Sequence, residues 1–326
     1  MMKICAVTGG LGFIGSYLVK ALVKLGWNVI VVDNLARGST SRISSVIQDV
    51  TLKNCDIRDE NEIVSAIKGC EVVFHLAAIN GTDNFYTQPE LVLDVGIRGA
   101  LSVVNACRRA NVPDLIVASS AEVYQTPSHV PTSEDAQLML PNSLNPRYSY
   151  GGSKIATELI AFNYAREHFR KLQVFRPHNV YGPDMGWKHV IPQFIVRALE
   201  LVENNSQRFQ ISGSGKETRA FAFVDDVVEG IICMYKNGEH REIYHIGNDH
   251  EISIEKLANE IGRAVGLKPV IVPGPEHKGS TNRRCPDLLK MRNIGYNPNV
   301  NLSDGLAITT NWYKEHRQGP SLNELL

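Results

Sequence analysis

The chain has 326 residues, 34 basic against 34 acidic side chains, and 43% hydrophobic residues, which places it among soluble globular proteins and excludes a disordered chain. Zero net formal charge, with no long run of like charges, supplies none of the positive field that binding to nucleic acid or a membrane surface requires, so neither partner is expected.

At roughly 150 residues per domain the length predicts about two units. Short apolar runs bounded by turn residues alternate with stretches of helical period, the pattern of βαβ units around a parallel sheet. In chain order, strands are expected at 4–8, 28–32, 52–56, 72–76, 115–119 and 172–176. The first begins at the N-terminus, where one charge and a short apolar stretch run into glycines, so this segment reads as a strand and not as a signal peptide. Between the first two strands, Ile14, Leu18, Leu22 and Leu25 recur at three- and four-residue spacing and Gly26 follows, which predicts a helix with a glycine stop. Further helices are expected at 62–67, 91–109 and 154–168. The whole reads as an α/β doubly wound parallel sheet with a smaller C-terminal α/β lobe.

Residues 1–176 are expected to form the first unit, with 221–248 returning to its sheet as strand, helix and strand. Residues 177–220 and 249–326 are assigned to the smaller lobe, and Gln318-Gly319-Pro320 to the start of a loose tail. The six cysteines are scattered, with no CxxC pair and no zinc-ligand spacing to histidine, which suits reduced thiols, no metal site and a cytoplasmic compartment. No apolar run approaches the roughly 18 residues of a spanning helix.

Directly after the first strand comes Thr8-Gly9-Gly10-Leu11-Gly12-Phe13-Ile14-Gly15. Glycines here permit a tight turn and let backbone N–H groups approach a pyrophosphate at the positive end of the following helix. Gly9, Gly12, Phe13, Ile14 and Gly15 are therefore candidate dinucleotide contacts. Asp33 ends the second strand, where its carboxylate can hold an adenosine ribose and repel a 2′-phosphate, favouring NAD over NADP. Arg37 nearby keeps a phosphate contact open. Asp56 and Ile57, expected at the end of the third strand, can meet an adenine edge.

Tyr150 and Lys154 stand one helical turn apart, so that a cation can lower the proton affinity of a phenol and make tyrosinate available as a base. Ser119-Ser120 ends the fifth strand at the carboxyl edge of the sheet, where ligands of open α/β folds bind.

These motifs resemble those of the extended short-chain dehydrogenase/reductase family, specifically its NAD-dependent nucleotide-sugar epimerases and dehydratases of the UDP-glucose 4-epimerase type. The resemblance rests on the glycine motif, Asp33-Asn34-Leu35, His75-Leu76-Ala77-Ala78, Ser119-Ser120-Ala121-Glu122-Val123-Tyr124, Tyr150 with Lys154, Asn179-Val180-Tyr181-Gly182-Pro183, and the segment from Arg219 to Asp226. It implies a Rossmann fold and a catalytic set of Ser120, Tyr150 and Lys154. It also implies NAD contacts at Asn34, Leu76, Ala77, Ala78, Tyr150 and Lys154, and nucleotide-sugar diphosphate contacts at Asn179, Arg219 and Arg284.

By the same resemblance Tyr150 removes the C4 hydroxyl proton as hydride leaves C4, and a transient 4-keto sugar forms. The role implied is a 4-epimerase, acting on a UDP-hexose in polysaccharide biosynthesis, in a homodimer formed through 91–109 and 154–168. Dehydratases of this family carry an acid before the glutamate, where this chain has Ala121; Glu122 keeps C5 chemistry open, so a 4,6-dehydratase or a UDP-uronate decarboxylase stands as the alternative. A carboxylate merely paired with an arginine is the other reading of Glu122. A regulator that binds NAD without catalysis is the rival outside enzymes. Asn80-Gly81-Thr82-Asp83 and the segment Met185 to His189 are candidates for the sugar pocket or for lobe packing, and His178 stands where Phe is common.

Overall fold

The structure is a computed structural model that describes residues 2–164, 166–275 and 281–317. Six strands alternate with helices: β1 (Ile4–Thr8), α1 (Phe13–Lys24), β2 (Asn28–Asp33), β3 (Val50–Asn54), α2 (Glu60–Ile67), β4 (Val72–His75), α3 (Gly99–Arg109), β5 (Asp114–Ala118), α4 (Ser149–Tyr164) and β6 (Lys171–Pro177). After α5 (Val190–Glu203) and α6 (Val224–Asn237), β7 (Glu242–Ile246) adds a seventh strand. All seven run parallel, in the order β7-β6-β5-β4-β1-β2-β3.

Because successive side chains of a strand point to opposite faces, the sheet buries two cores. Cys5, Val7, Val31 and Phe74 face Leu18 and Leu22 of α1 and Val227 and Ile231 of α6. Ala6, Val32, Val73 and Val117 face Ile63 and Ile67 of α2 and Val103 and Cys107 of α3. A third core joins Phe194, Ile195 and Leu199 of α5 to Phe209 and to helices α7 (Ile254–Ala264) and α8 (Leu302–Glu315). Among the described residues, no helix is long and apolar enough to cross a membrane.

Several expected elements differ. The third strand lies two residues earlier than its apolar content suggests, because its register is set by β2, from Val29↔Val50 to Asp33↔Asn54. Asp56 therefore sits in the turn beyond the strand, where its carboxylate accepts the Arg58 N–H at 2.9 Å. The expected helix 91–109 is interrupted: a short helix Pro89–Leu93 is followed by a π turn at Asp94–Arg98, and only then by α3. The irregular turn brings two glycines against neighbouring elements, since a Cβ at Gly96 would lie 2.7 Å from the Ser153 side chain and one at Gly99 2.4 Å from Ile57. The fourth expected helix starts earlier, at Ser149, and ends at Tyr164. Ala222–Phe223 does not join the main sheet; it pairs with Val180–Tyr181 in a separate two-stranded sheet, so of the two expected strands only β7 returns, while α6 packs on the main sheet as expected. The expected tail from Gln318 lies outside the described residues.

Candidate active site

The carboxyl ends of β1, β4 and β5 open onto one cleft. Gly9 turns with φ +70°, and a Cβ there would stand 2.8 Å from the Ala77 backbone; a Cβ at Gly15 would stand 2.1 Å from the Gly9 carbonyl oxygen. Only glycine fits either position. Gly12 precedes α1 with no side-chain cap, so the first amides of that helix remain available to an anion. The Thr8 hydroxyl accepts the Ala77 N–H at 3.3 Å and meets His75 Nδ1 at 2.8 Å, which fixes Leu76-Ala77-Ala78 across the glycine turn. Burial, reinforced by the charge of Lys154, pushes His75 down to about 3, so the imidazole is neutral.

Asp33 is 8% exposed, and its two carboxylate oxygens accept the Leu11 N–H at 3.0 Å and the Leu35 N–H at 2.9 Å. The backbone thus aims this carboxylate into the cleft and leaves lone pairs for a ribose hydroxyl. Asn34 donates to Asp56, and hydrogen bonds from Arg58 hold the Asp56 carboxyl down at about 2. Gly9, Gly12, Phe13, Ile14, Gly15, Asp33, Asn34, Asp56, Ile57, Leu76, Ala77, Ala78, Tyr150 and Lys154 all line the same cleft. This lining suits a dinucleotide: uncapped amides for the pyrophosphate, a fixed carboxylate for the ribose and a hydroxyl-bearing end near the reactive ring. Arg42 closes one side of it, forking onto Asp184 at 2.8 and 2.9 Å and donating to the carbonyls of Leu11 and Arg37 at 3.2 and 3.4 Å.

The side of the cleft that carries the candidate catalytic residues is built on α4. Tyr150, Ser153, Lys154, Thr157, Glu158 and Ala161 recur at helical spacing and are buried, so this helix turns a largely polar face inward. Lys154 donates from Nζ to the Ala118 carbonyl at 2.8 Å, and burial lowers it to about 8 against the opposing charge of Glu158. Tyr150 stacks on Phe85, with ring centroids 5.1 Å apart. Burial pushes its phenol up to about 12; a hydrogen bond with Ser120 and the charge of Arg37 pull down, and Glu122 pushes up. Sequence spacing suggested Lys154 as the cation acting on the phenol. In the structure its ammonium bonds the Ala118 carbonyl 5.8 Å from the Tyr150 ring centre, and the charge of Arg37 on the β2 loop also favours the ionised phenol.

Glu122 lies one turn beyond Ser120, whose hydroxyl accepts the Glu122 N–H at 3.2 Å. Its carboxylate accepts from Arg284 at 2.7 Å and Arg147 at 3.1 Å. Burial alone would raise this carboxyl, but the two guanidinium groups outweigh it and hold Glu122 at about 2. Arg219 and Arg284 stand opposite each other on paired strands. Burial and the neighbouring Arg284 lower Arg219 to about 10, a like-charge arrangement that an anion between them would relieve. Asn179 adopts φ +38° and donates its amide to the Ala220 carbonyl at 2.8 Å, tying the strand ends beside these arginines.

Of the remaining candidates, Asn80, Met185 and His189 line the cleft, whereas Trp187 packs on Tyr313 at 4.8 Å and serves the lobe. His178 is buried against His245, with ring centres 4.6 Å apart. Sequence reasoning missed Phe85, Arg147 and Glu158. Arg147 sits over the Phe85 ring at 5.3 Å and leaves one buried guanidinium nitrogen without a partner. Its signal was present in Asn145-Pro146-Arg147, a capped turn that delivers the chain to Tyr150.

The chain is 32% identical, over 97% of its length and 99% of the relative, to UDP-N-acetyl-alpha-D-glucosaminuronate decarboxylase of Bacillus cytotoxicus. It is 30% identical to a putative UDP-glucose 4-epimerase of Methanocaldococcus jannaschii, over 96% and 99% of the two chains. The solved UDP-glucose 4-epimerase of Thermotoga maritima, bound to UDP-glucose, superposes with a TM-score of 0.85 at 28% identity, covering 96% of this chain and 99% of that one. A dTDP-glucose 4,6-dehydratase double mutant from Streptomyces venezuelae, with NAD bound, gives 0.85 at 28% identity, covering 96% and 98%. The model of the NAD dependent epimerase/dehydratase family matches residues 5–247, and with the glycine cradle and the Ser120, Tyr150 and Lys154 cluster on the same sheet edge, the chain belongs to that family.

Proposed function

We propose that this chain is an NAD-dependent nucleotide-sugar 4-epimerase, acting on a UDP-hexose through a transient 4-keto sugar. The glycine turn and Asp33 would hold NAD, which when bound would supply the hydride acceptor. Tyr150 takes the C4 hydroxyl proton, Ser120 holds that hydroxyl, and Lys154 orients the cofactor end from the Ala118 carbonyl. Burial raises the phenol, so its deprotonation calls for positive charge beyond that of Arg37, which a bound oxidised nicotinamide would supply. Arg219, Arg284 and Asn179 are placed to receive the diphosphate.

The observation that carries the epimerase reading is the state of the two residues after Ser120. Ala121 has no proton to give and so cannot be the acid of a dehydration, while an arginine on each oxygen of Glu122 holds its carboxyl low and makes it a poor base for a C5 proton. A second reading is the decarboxylation of a nucleotide-bound uronic acid. A 4-keto uronate needs no acid at position 121 to lose carbon dioxide, and the partly unpaired Arg147 beside Glu122 offers a cation for a C6 carboxylate; the Bacillus relative acts in that class. Incubation with NAD and a panel of UDP-sugars and UDP-uronates, followed by chromatography and mass spectrometry, separates the two. A new peak of unchanged mass is expected, and loss of carbon dioxide from a uronate would replace the first reading by the second. We also assign the chain to a homodimer through α3, the turn before it and α4, which expose Leu93, Ile97 and Leu159. Sedimentation at micromolar concentration should return twice the chain mass; a monomer would refute it.

A further inference from the structure

The oxidation proposed above uses Ser120, Tyr150 and Lys154, yet the most completely bonded charge near them is a carboxylate with no role in it. Glu158 is 5% exposed and its partner Arg176 2%. Arg176 forks onto both carboxylate oxygens, at 2.8 and 2.6 Å, and the Ser119 hydroxyl donates to the same group. Arg176 in turn donates to the Tyr124 hydroxyl and to the Glu134 carbonyl at 2.8 Å, and Tyr124 meets His245 Nε2 at 2.6 Å. The network therefore runs from α4 through β6 to β7, beneath the turn that carries Ser120 and Glu122. Lys154 and Glu158 lie one turn apart on the buried face of α4 and bond to consecutive residues of the β5 end, Ala118 and Ser119, which lead directly to Ser120.

We propose that Glu158 is a positioning residue for this chemistry: pinned by Arg176, it clamps the backbone that presents Ser120 and stands as a fixed counter-charge beneath the Lys154 ammonium. An ordinary structural ion pair would need only Arg176; the third bond to Ser119 and the placement below Lys154 are what a catalytic support requires. The charged and titratable groups facing Lys154 are Glu158 on its own helix, Tyr150, and His75 at the end of β4; those facing Glu158 are Lys154, Arg176 and Tyr124. Burial draws Lys154 down and Glu158 opposes it, so loss of the carboxylate must let the ammonium deprotonate at lower pH.

The inference rests on the oxidation assigned to Tyr150 and is tested by a readout that needs no turnover. In NAD-loaded protein labelled with ¹³C,¹⁵N-lysine, the Lys154 signal is identified by its disappearance in Lys154→Met and titrated. Glu158→Gln should move its midpoint down by about one pH unit, and the alkaline limb of kcat should move with it while KM for the sugar nucleotide stays within about twofold. Because that variant strands a buried guanidinium, the double variant Glu158→Met with Arg176→Met removes both charges and keeps the volume; it should shift the midpoint in the same direction. Ser119→Ala, which leaves the ion pair intact, should lower kcat about tenfold at unchanged Lys154 titration. A Lys154 midpoint unchanged in both charge variants overturns the proposal. If the unsubstituted protein turns over no sugar nucleotide, the functional reading fails and the titration alone decides this one.

Discussion

The glycine-lined cleft and the arginine cluster around Glu122 are made of different material. On the cofactor side the ligand-facing groups are mostly backbone, placed by glycines that no other residue can replace and by a carboxylate fixed on two amides. The cluster is instead built of side chains brought from four distant segments, with Arg147 and Arg284 on the Glu122 carboxylate and Arg219 under the charge of Arg284 and Glu122. A backbone site is specified within one βαβ unit and tolerates little variation; a side-chain site can be retuned residue by residue. A family whose members include epimerases, dehydratases and decarboxylases is what such a division allows.

The comparison can be broken from either side. The largest effect is expected at Tyr150→Phe, which should reduce kcat by about a thousandfold while the purified protein keeps its NAD, as read by cofactor release and chromatography; parallel loss of NAD would show that the two regions are not separable. Gly15→Ala should do the reverse. Its methyl would stand 2.1 Å from the Gly9 carbonyl, so the turn must open, NAD content should fall, and stability should drop by about 1–3 kcal/mol in thermal unfolding.

The smallest effect on turnover is expected at Glu122→Gln, within about tenfold if the carboxylate only organises arginines; a collapse of turnover would move the chain to the lyases. That variant also sharpens the electrostatics. Glu122 is held at about 2 in the folded protein, below its value in an unfolded chain, so it stabilises the fold above about pH 4.5 and the contribution is lost as pH falls toward 2. Acid unfolding of the glutamine variant should therefore lack that part of the pH dependence, as circular dichroism against pH would report.

The same division explains what could be read in the sequence. The glycine turn, Asp33 and the helical spacing of Tyr150 and Lys154 are local patterns, and the structure brings them together at one sheet edge. The parallel, doubly wound sheet followed from alternation, but the ends of β3 did not, because they are set by register with β2 and not by apolar content. Nor did the fate of Ala222–Phe223, whose two residues pair with Val180–Tyr181 through contacts more than forty positions away. Lys154 was legible as a cation one turn from Tyr150, but its hydrogen-bond partner was not, since the Ala118 carbonyl carries no side-chain signal. Arg147 meets Phe85 and Glu122, and Arg37 lies near the Tyr150 phenol, from separate loops that only folding brings together.

Arg42 sets a kinetic condition on the cofactor. Its single guanidinium joins the glycine turn, the loop after β2 and the loop at Asp184, three walls of one cleft, through bonds that are partly open to solvent. For a dinucleotide threaded between these walls, as the proposed function has it, release is expected to be limited by the parting of that junction, so residence time, and not affinity alone, should depend on one partly buried ion pair. Rising ionic strength weakens such a pair, and the dissociation rate of NAD should climb with salt even where the equilibrium contacts of Asp33 and the α1 amides are unchanged.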